Sequence, residues 1–401
     1  MSKKMIKINK DFNVDVKISF SKIVSKVNKR VKQRKLLNIT PDEVEFLNTI
    51  NKKTIRKLVF SKPKRLKNII IKIYNKHPIV CEYYSPDYFL RHLNLQPLTN
   101  LQLPLKTKEN KKIVYNELAH AIKIITSFSQ TTQSLILEDI LNTHFSPQKL
   151  SSLRDKILNL ISIKNGGPLK ENTIKLFPSW VKNISEIFKY SLIDRETAYQ
   201  LNSFLDISIC PYCNSEEIEQ VEDHTGTSYR PAFDHFIPKY KYPLISFSLF
   251  NLIPSCTKCN STYKKSLDPI MSPFSNPFLE GVNDTQLFDF NYDIDYIYRD
   301  GQIDDDHIQI ILKKQKNNID ENMAKLSIEN RYNSRIRKKA VRLIAKRAFD
   351  LKAYEENFII EPTLFATFGY ETNIEPLKHM HKKLTQDAIL VFCNKQVPLI
   401  E

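Results

Sequence analysis

The sequence predicts an α+β fold that is mostly helical, with short strands gathered in its second half. Three observations predict it. Apolar residues recur at helical spacing from about 75 to 200. The stretch 206–275 loses that period and gathers four of the six cysteines. Beyond it, residues 288–292 and 308–312 alternate or run apolar as strands do, and a long amphipathic helix follows.

The chain has 401 residues, enough for two or three domains with a real core. Hydrophobic content of 41% and charged content of 26% are those of a globular protein. No apolar run approaches the ~18 residues of a membrane span, and the first residues, Met1-Ser2-Lys3-Lys4-Met5-Ile6-Lys7, lack a signal peptide's apolar stretch. These features disfavour a secreted, disulfide-stapled or membrane protein and lead us to expect a cytoplasmic one.

Composition divides the chain into four segments. Residues 1–75 form a basic N-terminal arm. Over 1–70 there are 20 Lys/Arg and 5 Asp/Glu, a net of +15 out of +17 for the whole chain. So concentrated a field points to a polyanion, nucleic acid first among them. Apolar patches at Val59-Phe60 and Ile69-Ile70-Ile71 predict that the arm is partly folded.

Residues 76–205 form a helical region. Val114, Leu118, Ile122 and Ile125 make one stripe; Ile184, Phe188 and Leu192 make another, with Ser179 as its expected N-cap. Gly166-Gly167-Pro168 breaks the region in two, and Asp194 is expected to cap a short helix carrying Leu201, Phe204 and Leu205. Residues 276–401 make a hairpin, turning at Asp300-Gly301, and then helices. The longest of these is expected to bury Ile336, Ala340, Ile344, Ala348 and Leu351. Arg335, Lys339, Arg342 and Lys346 lie on its other side, as a solvated face or a phosphate contact.

Between these regions, residues 206–275 carry the chemistry. Cys210-Pro211-Tyr212-Cys213 and Cys256-Thr257-Lys258-Cys259 are two C-x-x-C turns. Each turn aims two sulfurs at one centre, and two turns complete a tetrahedral thiolate shell for Zn²⁺ with no open position. Such a metal is structural. Disulfides would need an oxidising compartment, a redox pair needs only one C-x-x-C, and an iron–sulfur cluster suits this pairing less well.

Between the two turns the chain reads Phe233-Asp234-His235-Phe236-Ile237-Pro238-Lys239, then Tyr242-Pro243, then Phe250-Asn251-Leu252-Ile253-Pro254. Asn260 follows the second turn at once, and Lys264-Lys265 come just beyond. Asn251 falls 16 residues after His235, and Asn260 falls 9 after that. The pattern predicts a strand, a loop, a strand and a helix. A carboxylate and an amide are hard ligands suited to Mg²⁺ or Mn²⁺, and a neutral imidazole beside them can take a proton from water. Asp223-His224 lacks the following Ile-Pro and reads as hairpin surface.

This string, D-H-F-I-P-K…Y-P…N-L-I-P-S-C-x-x-C-N…K preceded by C-P-Y-C, resembles the HNH endonucleases of the ββα-metal class in their zinc-clasped form. The resemblance covers roughly residues 206–270. It implies a zinc-stabilised ββα-metal nuclease core, flanked by helical N- and C-terminal regions, that hydrolyses DNA phosphodiester bonds. His235 then matches the general base and Asp234 a ligand of the catalytic Mg²⁺ or Mn²⁺. Asn251 matches the middle position that orients the His-bearing loop, and Asn260 the third motif position, a second oxygen ligand. Lys264, or Lys265 beside it, is expected to approach the phosphate. Many members carry Lys three residues after the position of Asn260; here that place is Tyr263. The subtype also resembles nucleases of Septu-type and retron-linked anti-phage systems, which implies an ATPase partner. Two other readings stand beside this one: a zinc-stabilised nucleic-acid-binding module without catalysis, and an RNA- or tRNA-cleaving nuclease of the same fold.

Overall fold

The computed structural model of the chain describes residues 7–8, 10–95, 98–143, 146, 149–222, 228–281, 286–298, 307–315, 317–354, 368 and 378–394. Helices dominate, and the described strands form small two-stranded antiparallel ladders, an α+β arrangement. Among the described residues no helix is long and apolar enough to cross a membrane. The chain divides into two compact units: residues 21–192 with 238–249, and residues up to 20 with 193–237 and 250 onward.

The first unit is helical. Proline supplies many of its helix starts: Pro41–Thr49, Pro63–Lys76, Pro78–Tyr84 and Pro86–Phe89 each begin on a proline, whose missing N–H is one a first turn cannot satisfy anyway. Side-chain caps add to this. Thr40 accepts from Glu43 N at 3.3 Å, Asn51 from Thr54 N at 3.0 Å and Thr107 from Asn110 N at 3.1 Å. The segment expected to be partly folded is helical over Val14–Lys35, Pro41–Thr49, Lys52–Phe60 and Pro63–Lys76. Ile55, Leu58, Val59, Leu66, Ile70 and Ile73 turn inward, leaving Lys52, Lys53, Arg56, Lys64, Arg65 and Lys72 exposed.

In the helix Lys108–Ser129, Val114, Leu118 and Ile125 are buried as expected; Ala121 joins them and Ile122 is half-buried. Ile184, Phe188 and Leu192 are also buried but do not share one helix. Ser179–Lys182 and Ile184–Ile187 are separate turns divided at Asn183, so Ser179 opens the first turn after Pro178 instead of capping a longer helix. The Gly166-Gly167 break is structural. Gly166 has φ +88, and a Cβ on Gly167 would lie 2.4 Å from Ser162 Oγ.

In the second unit Asp194 caps Arg195–Leu205, accepting from Thr197 N at 3.0 Å, with Leu201 and Leu205 buried. The strands Phe288–Tyr292 and Ile308–Leu312 pair antiparallel, Phe290 opposite Ile310; the expected turn at Asp300-Gly301 lies outside the described residues, as does the Asp223-His224 pair. The helix Arg335–Tyr354 corrects the expected stripe. It buries Val341, Ala345, Ala348 and Phe349, while Ile336 is 82% exposed. The large Phe349 ring sets this rotation, packing against Phe392 and Tyr292 with centroids 5.9 and 6.0 Å away. The side chain of Leu351 lies outside the described residues.

Candidate functional site

The two cysteine turns meet. Cys210, Cys213, Cys256 and Cys259 are buried, and their sulfurs all lie within 4.8 Å of one another. At the first turn Cys210 N donates to Glu216 O and Asn214 N returns to Cys210 O at 2.8 Å, with Asn214 in the left-handed region at φ 50. At the second, Cys259 N donates to Cys256 Sγ at 3.4 Å. Tetrahedral zinc with sulfurs at about 2.3 Å needs them about 3.8 Å apart; Cys213 and Cys256 Sγ are 4.0 Å apart. The four cysteines could therefore hold a metal ion such as zinc. Hydrogen bonding from Cys210, Cys256 and Cys259 holds the Cys213 thiol well below its usual range, while burial pushes the Cys210 thiol well above it.

Residues from the C-terminal region brace this cluster. Arg331 Nη1 donates to Cys259 Sγ at 3.2 Å, and its guanidinium lies over the Tyr263 ring at 4.9 Å. Tyr332 Oη donates to Cys213 O at 2.6 Å. Sequence reasoning missed both, because an arginine 72 positions from its sulfur leaves no spacing signal.

Beside the cluster lies the expected strand, loop, strand and helix. Ala232–His235 pairs antiparallel with Leu252–Ser255, setting Asp234 opposite Ile253 and His235 opposite Leu252. Pairing ends at His235, where Asn251 takes over. Asn251 Oδ1 accepts from Ile237 N at 2.7 Å, and its Nδ2 donates to Ile237 O at 3.0 Å. Phe236 N donates to Asn251 O at 2.9 Å. The amide thus fixes the peptide run that leaves His235. The His235 side chain is half-buried, whereas Asp234 is 3% exposed.

The structure brings Asp234 together with Lys264 and Tyr212. Lys264 Nζ donates to Asp234 Oδ1 at 3.0 Å and to His235 O at 3.1 Å. Tyr212 Oη donates to Asp234 Oδ2 at 2.6 Å, and burial pushes that phenol well above its ordinary range, with the Asp234 charge adding to the effect. Tyr212 sits inside the first C-x-x-C, and nothing in that spacing announces it. Lys264 is 2% exposed, so the expected approach to a phosphate is not the arrangement found.

Asn260 is half-buried near the start of the helix Lys258–Lys264, which is wound as a π-helix. Its backbone N donates to Cys256 O at 3.0 Å. As arranged, these residues do not fit a divalent ion on Asp234. Both carboxylate oxygens are engaged inside the protein, one of them by an ammonium, and a second cation would meet that charge at close range. Comparison of the chain with protein-family models, with curated proteins and with solved structures finds no match.

Proposed function

We propose that the chain is an HNH-type endonuclease hydrolysing phosphodiester bonds in DNA, with a structural zinc on Cys210, Cys213, Cys256 and Cys259. One observation carries this reading: a strand–loop–strand–helix unit in which Asn251 clamps the peptides that follow a half-buried His235, with a four-cysteine cluster at the helix start. His235 takes the proton of the attacking water, and the clamp holds the imidazole's backbone still while it does so. The exposed lysines and arginines of Lys52–Phe60 and Pro63–Lys76 form a basic face suited to nucleic-acid phosphates. Residues 46–81 hold ten basic side chains and no acidic one.

The resemblance implies Mg²⁺ or Mn²⁺ on Asp234 and Asn260, which would stabilise negative charge on the phosphorane oxygens and on the leaving 3′-oxygen. With Asp234 engaged by Lys264, no step is assigned to that ion. A role in anti-phage defence beside an ATPase partner rests on the likeness to Septu-type and retron-linked nucleases.

The Asp234–Lys264 pair favours a second reading, a zinc-stabilised nucleic-acid-binding module without catalysis. Cleavage separates the two. The nuclease reading expects cutting by the wild type that falls by about 10²–10⁴ in His235→Ala with DNA binding retained. The module reading expects binding by both proteins and cutting by neither. Running DNA and RNA side by side decides between DNA cleavage and an RNA- or tRNA-directed activity of the same fold.

A further inference from the structure

The Asp234 carboxylate is a buried acid whose charge is already matched. A hard divalent ion collects carboxylate and peptide oxygens. Here an ammonium has collected one of each, Asp234 Oδ1 and the His235 carbonyl, with the Phe236 ring 5.9 Å from Nζ. Lys264 closes the helix Lys258–Lys264 and turns inward, whereas the neighbouring Tyr263 lies against the Arg331 guanidinium.

We infer that Lys264 is the resident cation of Asp234: its ammonium takes the place on that carboxylate that the HNH resemblance gives to a divalent ion, and no divalent ion binds there in the folded chain. Lys264 is then a positioning residue. It ties the carboxylate to the peptide of His235 and so fixes the strand end from which the imidazole projects. The inference stands whether or not the chain cuts nucleic acid, because it is read from ion binding alone.

The test is Mn²⁺ titration of the full-length, zinc-loaded chain, followed by the electron paramagnetic resonance of free Mn²⁺. Wild type and Asp234→Asn are expected to give superimposable curves. Lys264→Met, checked for zinc content and helical circular dichroism, is expected to gain one site at least about tenfold tighter than any in the wild type. That site is expected to vanish in Lys264→Met/Asp234→Asn. Should the variants fail to fold, the wild type decides by itself. With labelled histidine, Mn²⁺ below one equivalent is expected to leave the His235 side-chain signal unbroadened relative to the other histidines. A wild-type site lost in Asp234→Asn, selective broadening of His235, or a folded Lys264→Met that gains nothing would each overturn the inference. Cleavage is not read in this experiment; the His235→Ala assay judges the nuclease reading separately.

Discussion

At Asn251 a single amide closes both hydrogen-bonding groups of the Ile237 peptide, and its own backbone carbonyl takes Phe236 N. The side chain is 1% exposed, so truncation leaves an N–H and a carbonyl without water. Asn251→Ala is expected to destabilise the chain by about 2–4 kcal/mol, the cost of leaving two buried groups unmet. Chemical denaturation measures this, and a loss under about 0.5 kcal/mol would show that the clamp is not structural. Asn251 was legible in the sequence because it matches the middle position of the HNH resemblance, which implies that it orients the His-bearing loop. Lys264 was legible as a residue but not in its role. Whether a lysine faces inward or toward a phosphate depends here on a buried carboxylate 30 positions away, Asp234, and such a partner leaves no mark in local spacing.

Glu82 shows a burial effect that stability measurements can detect directly. It is 0% exposed and accepts from Ser134 Oγ and from the N–H groups of Leu135 and Ile136, so it caps the helix Leu135–Leu141 from another element. Burial is the main cause that lifts its carboxyl from 4.5 to about 7, against the pull of those hydrogen bonds. The folded state therefore holds the proton more tightly than the unfolded chain. The stabilisation from this group is complete below about pH 4.5, declines as pH rises, and is gone above about pH 7. Glu82→Gln is expected to flatten the stability profile across that window. An unchanged slope in thermal denaturation between pH 4.5 and 7 would refute the assignment.

At the scale of elements, the cysteine cluster is braced by a helix distant in sequence. Ile328–Tyr332 supplies Arg331 to Cys259 and Tyr332 to the Cys213 carbonyl. Four thiolates around a dipositive ion carry excess negative charge, and a guanidinium hydrogen-bonded to one of them offsets part of it. Losing an outer contact of this kind typically lowers metal affinity by one or two powers of ten. Arg331→Met is expected to release zinc to a chelator about tenfold faster than wild type, with Arg331→Lys intermediate. Equal release rates would remove Arg331 from the account of the centre.

The paired C-x-x-C turns were fully visible in the sequence because a short-range turn fixes two sulfurs at once. The hairpin Ala232–His235 with Leu252–Ser255 was visible through its bounding Pro and Asn residues. The helix Arg335–Tyr354 was visible as a helix, but its buried face was misjudged. Ile336 and Val341 compete equally on hydropathy, and the packing of Phe349 on Phe392 and Tyr292 selects its side.

For the molecule as a whole, the exchange of chain between the two compact units was not legible. Residues 238–249 leave the hairpin to join the helical unit, where Tyr242 stacks on Tyr74 and Lys241 pairs with Asp87. Nothing in local composition signals such a transfer, because it depends on contacts more than 150 positions apart. Charge, by contrast, was plain. The basic excess of the first segment lies on the outer faces of well-formed helices, so it can meet a polyanion without unfolding. DNA binding is expected to weaken with salt by about 0.9 log units per phosphate contact per log unit of salt. Lys53→Glu, Arg56→Glu, Lys64→Glu and Arg65→Glu together are expected to lower that slope. A slope unaffected by these four changes would place the DNA elsewhere on the protein.

The most direct measurement is cleavage of supercoiled plasmid DNA, with Mg²⁺ or Mn²⁺ present, by wild type and by His235→Ala at matched zinc content. An HNH-type nuclease with His235 as base nicks the plasmid as wild type and loses at least about a hundredfold of that activity in the variant, with DNA affinity unchanged. Equal nicking by both proteins, or binding without cutting by either, would contradict this reading.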